Sequence, residues 1–284
     1  TLKINGMEHK SGFVSIVGSP NVGKSTLMNR LVGEKLSIVT SKAQTTRHRI
    51  LGIVNDENHQ IVFSDTPGVV NSAYKLHENM MDYVDSSIKD ADVLIFVTDP
   101  YESEMNHKET LEKIQRLRVP VLCLINKMDL SDQEKVAERL AYWQERLPNA
   151  NIFPISALHG FGIEGIWEEI RTNIPESPPY YEKDAMTDRP MRFFISEIIR
   201  EKIFIHCKKE IPYATQVEIE EYKEEAEITH IRALIIVERN SQKGIIIGKG
   251  GDMLKRIGYE SRKEMEKFID KKVFLETFVK VDKD

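Results

Sequence analysis

Between residues 12 and 174 the chain alternates two kinds of segment. Short runs of apolar, largely β-branched residues occur at 13–17, 61–64, 93–97, Val121–Ile125 and 152–155, with little polar alternation. Strands buried on both faces of a parallel sheet read this way. The stretches between them place apolar residues at helical period, for example at Lys24–Val32, 106–117 and 133–147. Such alternation predicts an α/β fold with a doubly wound, mostly parallel sheet.

Residues 175–190, PESPPYYEKDAMTDRP, break the pattern. Proline disrupts helix and ladder alike, and few apolar residues here can pack, so the stretch reads as a linker. It divides a first domain at 8–176 from a second at 191–284, with the linker at 177–190. Beyond it the order changes. A helix is expected at 191–205, with Phe194, Ile198, Ile199 and Ile203 near one face, then strands at 216–222 and 228–238. An apolar run at 242–247 leads into the glycine cluster 248–251, followed by a helix at 253–268 and a strand at 273–281. The result is an α+β unit of order α-β-β-α-α-β. Residues 1–6, ahead of Met7, read as a tag remnant and are left out of the expected fold; the first ten residues show no basic-plus-apolar leader pattern.

Composition narrows the class. The 284 residues are 40% hydrophobic and 30% charged, which excludes long disorder and a collagen-like fibre. No apolar run approaches the roughly 18 residues of a membrane-spanning helix. Only Cys123 and Cys207 are present, against a disulfide scaffold and in favour of a reducing, cytoplasmic compartment. Position matters more for charge than the total of −5. Residues 1–180 hold 19 basic and 24 acidic side chains, whereas 232–272 hold 11 basic against 6 acidic. That basic block is where a polyanion would be met. The acidic run 218–227 reads as a solvated strand edge, and Phe193, Phe194 and Phe204 as helix packing.

The candidate chemistry of the first domain lies at the ends of its apolar runs. Gly18-Ser19-Pro20-Asn21-Val22-Gly23-Lys24-Ser25, followed by Thr26, fits GxxxxGK[ST] between a strand and a helix. Its small residues let backbone N–H groups close around phosphates, Lys24 supplies a point charge, and the Ser25 hydroxyl can ligate Mg²⁺. Asp65-Thr66-Pro67-Gly68 ends a strand; its carboxylate can reach a Mg²⁺ shell, and Gly68 lets the backbone approach a γ-phosphate. Asn126-Lys127-Met128-Asp129 follows another strand. The Asp129 carboxylate can accept two hydrogen bonds from guanine, where adenine would leave it unpaired at a cost of about 1–3 kcal/mol. Ser156-Ala157-Leu158 ends the next run, where the Ala157 N–H can read guanine O6.

This ordered set is similar to that of P-loop GTPases, and the resemblance implies GTP/GDP and Mg²⁺. The segment 43–48, AQTTRH, resembles the first switch of such proteins, with Thr46, or alternatively Thr45, closing on Mg²⁺. Lys24, Thr46 and Gly68 are then the residues expected around the reacting phosphate. Ras-like enzymes orient the attacking water with a Gln at the position that here is Val69, and Val cannot do so. Arg47 and Arg49 are arginine-finger candidates by proximity only. Slow intrinsic hydrolysis follows, accelerated by a partner or an ion. The loop GxPNxGKS resembles that of potassium-dependent GTPases, which makes Asn21 a candidate K⁺ ligand.

In the second domain Gly248-Lys249-Gly250-Gly251 fits GxxG, preceded by Gly244. Such a turn lets backbone amides and Lys249 clamp sugar-phosphate, as in KH domains. Lys243, Lys255 and Arg256 extend the basic surface, as do Arg262 and Lys263. The element order is the type II KH arrangement. Isoleucines 245–247 read mainly as core.

Taken together, GSPNVGKS, KAQTTRHRI, DTPG, NKMD and VERNSQKGIIIGKGG resemble the Era family of bacterial GTPases over about residues 8–282. That resemblance implies binding to the 3′ end of 16S rRNA and the 30S ribosomal subunit precursor, in small-subunit maturation. It also implies a monomeric protein and peripheral association at the inner membrane. Ser19 stands where Arg is frequent in the family, with its side chain expected to face outward.

Overall fold

The computed structural model describes residues 3–4, 7–40, 42, 45–69, 75–102, 108–208 and 210–282. Ala43 and Gln44 of the switch segment, and residues 106–107 of the expected helix, lie outside them. The chain separates into two compact units, Thr1–Asp188 and Arg189–Asp284.

In the first unit β1 (Lys3–Ile4) pairs with β2 (Met7–Glu8), so the stretch set aside as a tag remnant forms a short antiparallel ladder. Then come β3 (Lys10–Gly18), α1 (Lys24–Val32), β4 (Ile50–Asn55), β5 (His59–Asp65), α2 (Lys75–Asp90), β6 (Val93–Thr98) and α3 (Lys108–Gln115). The series ends with β7 (Val121–Ile125), α4 (Gln133–Arg146), β8 (Asn151–Pro154) and α5 (Ile163–Asn173). The six-stranded sheet has the order β4-β5-β3-β6-β7-β8 and is parallel except for β4, which runs antiparallel to β5. Val84, Ile88, Leu111, Ile114 and Trp143 of α2, α3 and α4, with Leu147 just past α4, pack with Leu94, Phe96, Cys123 and Ile125 of the sheet. Trp167 of α5 meets Phe63 edge-on at 5.5 Å.

The stretch 177–188 is not a free linker. It runs along the outer edge of the sheet as a strap. Ile53 N–H of β4 donates to Met186 O at 2.8 Å, and the Asn55 amide donates to Ala185 O at 3.1 Å. Gln60, fully buried, accepts from the Tyr180 and Tyr181 N–H groups at 2.6 and 2.9 Å and donates to Tyr181 O at 2.9 Å. Lys183 donates to His9 Nε2 at 2.7 Å and to Asp56 O at 2.9 Å. Composition misjudged this segment because much of its attachment runs through its own N–H and C=O groups, which leave no mark on hydrophobic pattern, and because Tyr181 and Ala185 suffice to pack on Leu51, Ile53 and Val62.

The second unit holds α6 (Met191–His206), β9 (Gln216–Glu224), β10 (Ile228–Val237), α7 (Asn240–Ile247), α8 (Asp252–Ile269) and β11 (Lys272–Val281). Its sheet has the order β11-β10-β9, with β10 parallel to β11 and antiparallel to β9. Ile195, Ile199, Ile203, Ile231, Ile235, Ile246, Ile257 and Met265 form its core. The acidic β9 is an edge strand, and charge on an edge discourages pairing with foreign strands.

Candidate nucleotide site and nucleic-acid interface

All four loops of the first unit follow the C-terminal ends of β3, β5, β7 and β8, which is where parallel α/β sheets gather ligands. Gly23 caps α1 at φ 100°, and a Cβ there would lie 2.2 Å from Asn126 Nδ2, so the first turn of amides opens into the site only with glycine. A Cβ on Gly68 would stand 2.8 Å from Pro20 Cα, and Val69 N–H donates to Gly18 O at 3.0 Å. The DTPG turn and the phosphate loop therefore lie against each other. They line a cleft of about 330 Å³ shared with Lys24, Ser25, Thr46 and Lys127.

Lys24 is buried, and its ammonium donates to Ser19 O at 2.6 Å. Burial brings its pKa down to about 8, against the opposing pull of Asp65 and Glu102. Ser25 Oγ donates to Asp65 Oδ2 at 2.8 Å and lies 3.1 Å from Thr46 Oγ1. Asp65 is fully buried; burial raises its pKa, opposed first by Lys24, and its Oδ1 makes no hydrogen bond among the described residues. Two hydroxyls and an unsatisfied carboxylate oxygen at one point suit a hard cation with oxygen ligands, and Mg²⁺ fits that set. Thr45 turns away: its hydroxyl donates to Lys42 O at 2.9 Å and meets Thr40 Oγ1 at 3.0 Å. Of the two candidates, Thr46 is the one whose hydroxyl lies beside Ser25.

Asn126 ties three loops together. Its Nδ2 donates to Val22 O at 2.8 Å, and its Oδ1 accepts the Ala157 N–H at 2.9 Å. The Ala157 N–H, expected to face guanine O6, is therefore committed to Asn126. Asp129 Oδ1 accepts the Ser156 hydroxyl at 2.6 Å, which orients the carboxylate. Lys127 sits at φ 62° with its ammonium 2.9 Å from Asp99 Oδ2, and Leu158 is 63% exposed on the rim. Asn21 adopts φ 64°, a conformation that Asn tolerates.

Three expectations change, at Thr66, Arg49 and Ser19. The Thr66 hydroxyl turns into the fold and donates to Ile16 O at 2.8 Å, leaving only its backbone for the site. Val69 is buried in the core that holds Val84 and Leu94, so it presents nothing to an attacking water. Arg49 is engaged elsewhere: its guanidinium donates to Ser64 Oγ at 2.8 Å and to Asp90 at 3.0 Å. Ser19 does not face outward; it is 8% exposed and its hydroxyl donates to the Glu102 carboxylate. Glu102 carried no sequence signal, since it belongs to no motif and lies far along the chain from the loop it touches.

In the second unit α7 ends at Gly248 (φ 75°), and Gly250 (φ 63°) and Gly251 (φ 84°) carry the chain through a short 3₁₀ turn into α8. A Cβ on Gly248 would meet Met253 Cβ at 2.7 Å, whereas Gly244, Gly250 and Gly251 have open space where a Cβ would lie. The turn is therefore bare backbone with Lys249 exposed on it. Lys243 lies one turn back on α7, and Lys255 and Arg256 are exposed on the first turns of α8. Arg256 also pairs with Glu260 at 3.3 Å, so it is held along its own helix. Of the three isoleucines only Ile246 is core; Ile245 is 49% exposed, because α7 turns that face to solvent.

Residues 13–127 match a family described as 50S ribosome-binding GTPase, and 210–284 match the KH domain. The chain is 48% identical over 279 residues to GTPase Era of Geotalea uraniireducens, covering 98% of this chain and 94% of that protein. It is 45% identical to the chloroplastic GTPase ERA1 of Zea mays, covering 96% of this chain and 67% of that one. Among solved structures it is similar to Aquifex aeolicus Era bound to GDP·AlF₄⁻, with TM-score 0.90 and 38% identity over 97% of this chain and 95% of that one. It is equally similar, at TM-score 0.90 and 39% identity with the same coverage, to an Era in complex with MgGDPNP and nucleotides 1506–1542 of 16S ribosomal RNA. With a P-loop unit followed by a KH unit and this degree of identity along nearly its whole length, the chain belongs to the Era family of GTPases.

Proposed function

We propose that this protein is a GTP-hydrolysing switch that binds 16S rRNA near its 3′ end on the 30S precursor and acts in maturation of the small ribosomal subunit. The observation that carries the reading is the near full-length likeness to an Era bound at once to MgGDPNP and a 16S fragment. The backbone of residues 18–26 and Lys24 hold the phosphates; Asn126, Lys127 and Asp129 hold guanine, supported by Ser156 on Asp129 and Ala157 on Asn126, with Leu158 at the rim. Ser25, Thr46 and Asp65 hold Mg²⁺, which when bound neutralises charge on the phosphate oxygens. Thr46 and Gly68 order around the γ-phosphate and release after hydrolysis. In the second unit the backbone at 248–251 and the side chains of Lys243, Lys249, Lys255 and Arg256 clamp a single-stranded sugar-phosphate segment. By linkage, RNA then favours the GTP state by the factor with which GTP favours RNA.

Intrinsic hydrolysis is slow because Val69 is buried and Arg49 is tied to Asp90. A K⁺ at Asn21 is the charge we assign to the missing finger, and equal rates in K⁺ and Na⁺ at one ionic strength would remove that part. The protein acts as a cytoplasmic monomer. No helix among the described residues is long and apolar enough to cross a membrane, so membrane contact is proposed only in peripheral form. Crosslinking and sequencing of bound RNA, with and without a GTP analogue, tests the whole. Enrichment of 16S 3′-terminal fragments is expected; enrichment of other RNA alone refutes it.

A further inference from the structure

We propose that Glu102 is a positioning residue of the phosphate loop, its carboxylate fixing Ser19 so that the Ser19 carbonyl holds the Lys24 ammonium in the site. The inference rests on the reading of Lys24 as the phosphate-binding lysine. The carboxylate accepts two hydroxyls, one from Ser19 and one from Thr98 at 2.6 Å. Thr98 is fully buried and Ser19 nearly so, so neither hydroxyl has water as an equivalent partner. The backbone beneath the carboxylate is itself pinned. Glu102 N–H donates to Asp99 O at 3.3 Å, and Arg139 of α4 donates to Pro100 O and Glu102 O, both at 3.0 Å. Support thus passes from α4 and the end of β6 through Glu102 to Ser19, and from Ser19 O to Lys24 Nζ at 2.6 Å.

Charge points the same way. The groups acting on Lys24 are the carboxylates of Asp65 and Glu102 and, in opposition, the ammonium of Lys127. Lys127 is drawn aside by Asp99 at 2.9 Å, and Asp65 is shared with Ser25. Glu102 thus gives the Lys24 ammonium a second carboxylate beside Asp65. A carboxylate is also the group the site requires: Ser19 and Thr98 both donate, and an amide at 102 has one accepting oxygen for two hydroxyls.

The test is GTP binding and steady-state hydrolysis in the full chain, for wild type, Glu102→Gln, Ser19→Ala and the double variant. Glu102→Gln should raise KM roughly three- to tenfold with kcat nearly unchanged, since position 102 touches no reacting atom. Ser19→Ala should reproduce part of the KM effect, and the double variant should be no worse than Glu102→Gln alone. Glu102→Asp, which restores a carboxylate on a shorter arm, should recover part of the lost affinity and lower KM toward wild type. An unmoved KM in a Glu102→Gln protein of wild-type melting temperature overturns the proposal. Lys24→Ala separates the two levels: GTP binding retained in that variant overturns the reading of Lys24 itself, whereas binding lost there with Glu102→Gln unaffected overturns only the role of Glu102.

Discussion

Replacing Gln60 by Ala should unfasten the strap 177–188 while leaving the sheet intact. Gln60 makes four hydrogen bonds from a fully buried position: two accepted from Tyr180 and Tyr181 N–H, one donated to Tyr181 O and one to Asn55 Oδ1 at 2.8 Å. At a net 0.5–1.5 kcal/mol each, their loss would cost about 4 kcal/mol if every partner stayed buried. The partners on the strap need not stay buried, because the strap can lift and give them to water. Lifting also releases the bonds at Ile53, Asn55 and Lys183, and the strap's own attachment is therefore the ceiling. We expect a global loss of about 1–2 kcal/mol and a melting temperature lower by roughly 3–6 °C. Amide hydrogen exchange is the discriminating assay. The Tyr180, Tyr181 and Ile53 amides should approach unprotected rates, while those of β3 and β6 keep their protection. Gln60→Glu should open the strap almost as fully, since it puts an acceptor against Tyr181 O and Asn55 Oδ1. Unchanged exchange at Tyr180 and Tyr181 would refute the reasoning, and so would a loss near 4 kcal/mol without local opening.

Asp129→Asn should weaken GTP binding at least tenfold and shift preference toward xanthosine nucleotides, measured by competition; unchanged preference would remove Asp129 from base recognition. Gly68→Ala forces a methyl within 3 Å of Pro20 and should cost about 1–3 kcal/mol in the nucleotide-free protein and slow hydrolysis, checked by denaturation and single-turnover rates. Lys24 titrates near pH 8 when folded and near 10.5 when unfolded, so the unfolded chain holds this proton more tightly. The empty protein is thus relieved of a cost of up to about 3 kcal/mol as pH rises through that window, whereas the nucleotide complex needs the proton. The increment in melting temperature conferred by MgGDP should therefore shrink from pH 7 to about pH 9.5, and an increment constant with pH would contradict the site. Lys249→Asp with Gly250→Asp should abolish RNA binding and leave free-state GTP hydrolysis unchanged.

The nucleotide motifs were legible in the sequence because phosphate and guanine chemistry demand particular residue types at the ends of strands, and each run of β-branched residues announced its strand. The strand Ile50–Asn55 was not, since Gly52 interrupts its β-forming character; the glycine is there because Met28 and Val32 of α1 leave no room for a Cβ. Ser19 and Glu102 meet across 83 positions of sequence, and Asn126 and Ala157 across 31, and no local pattern encodes such pairings. The choice between Thr45 and Thr46 also needed coordinates, since neighbours in a loop differ only in where the backbone aims them.

The strap has a consequence for dissecting the molecule. β4 is the outermost strand of the larger sheet, and its unpaired backbone groups face outward. Residues 177–188 lie over that edge, where Met186 O takes the Ile53 N–H and the Asp188 carboxylate takes the Leu51 N–H. A first unit cut at residue 176 would bare a six-residue template rich in isoleucine, leucine and valine, ready to recruit the same strand of a neighbouring molecule. Cut after Asp188, the unit keeps its guard and should remain dispersed at concentrations where the shorter piece precipitates.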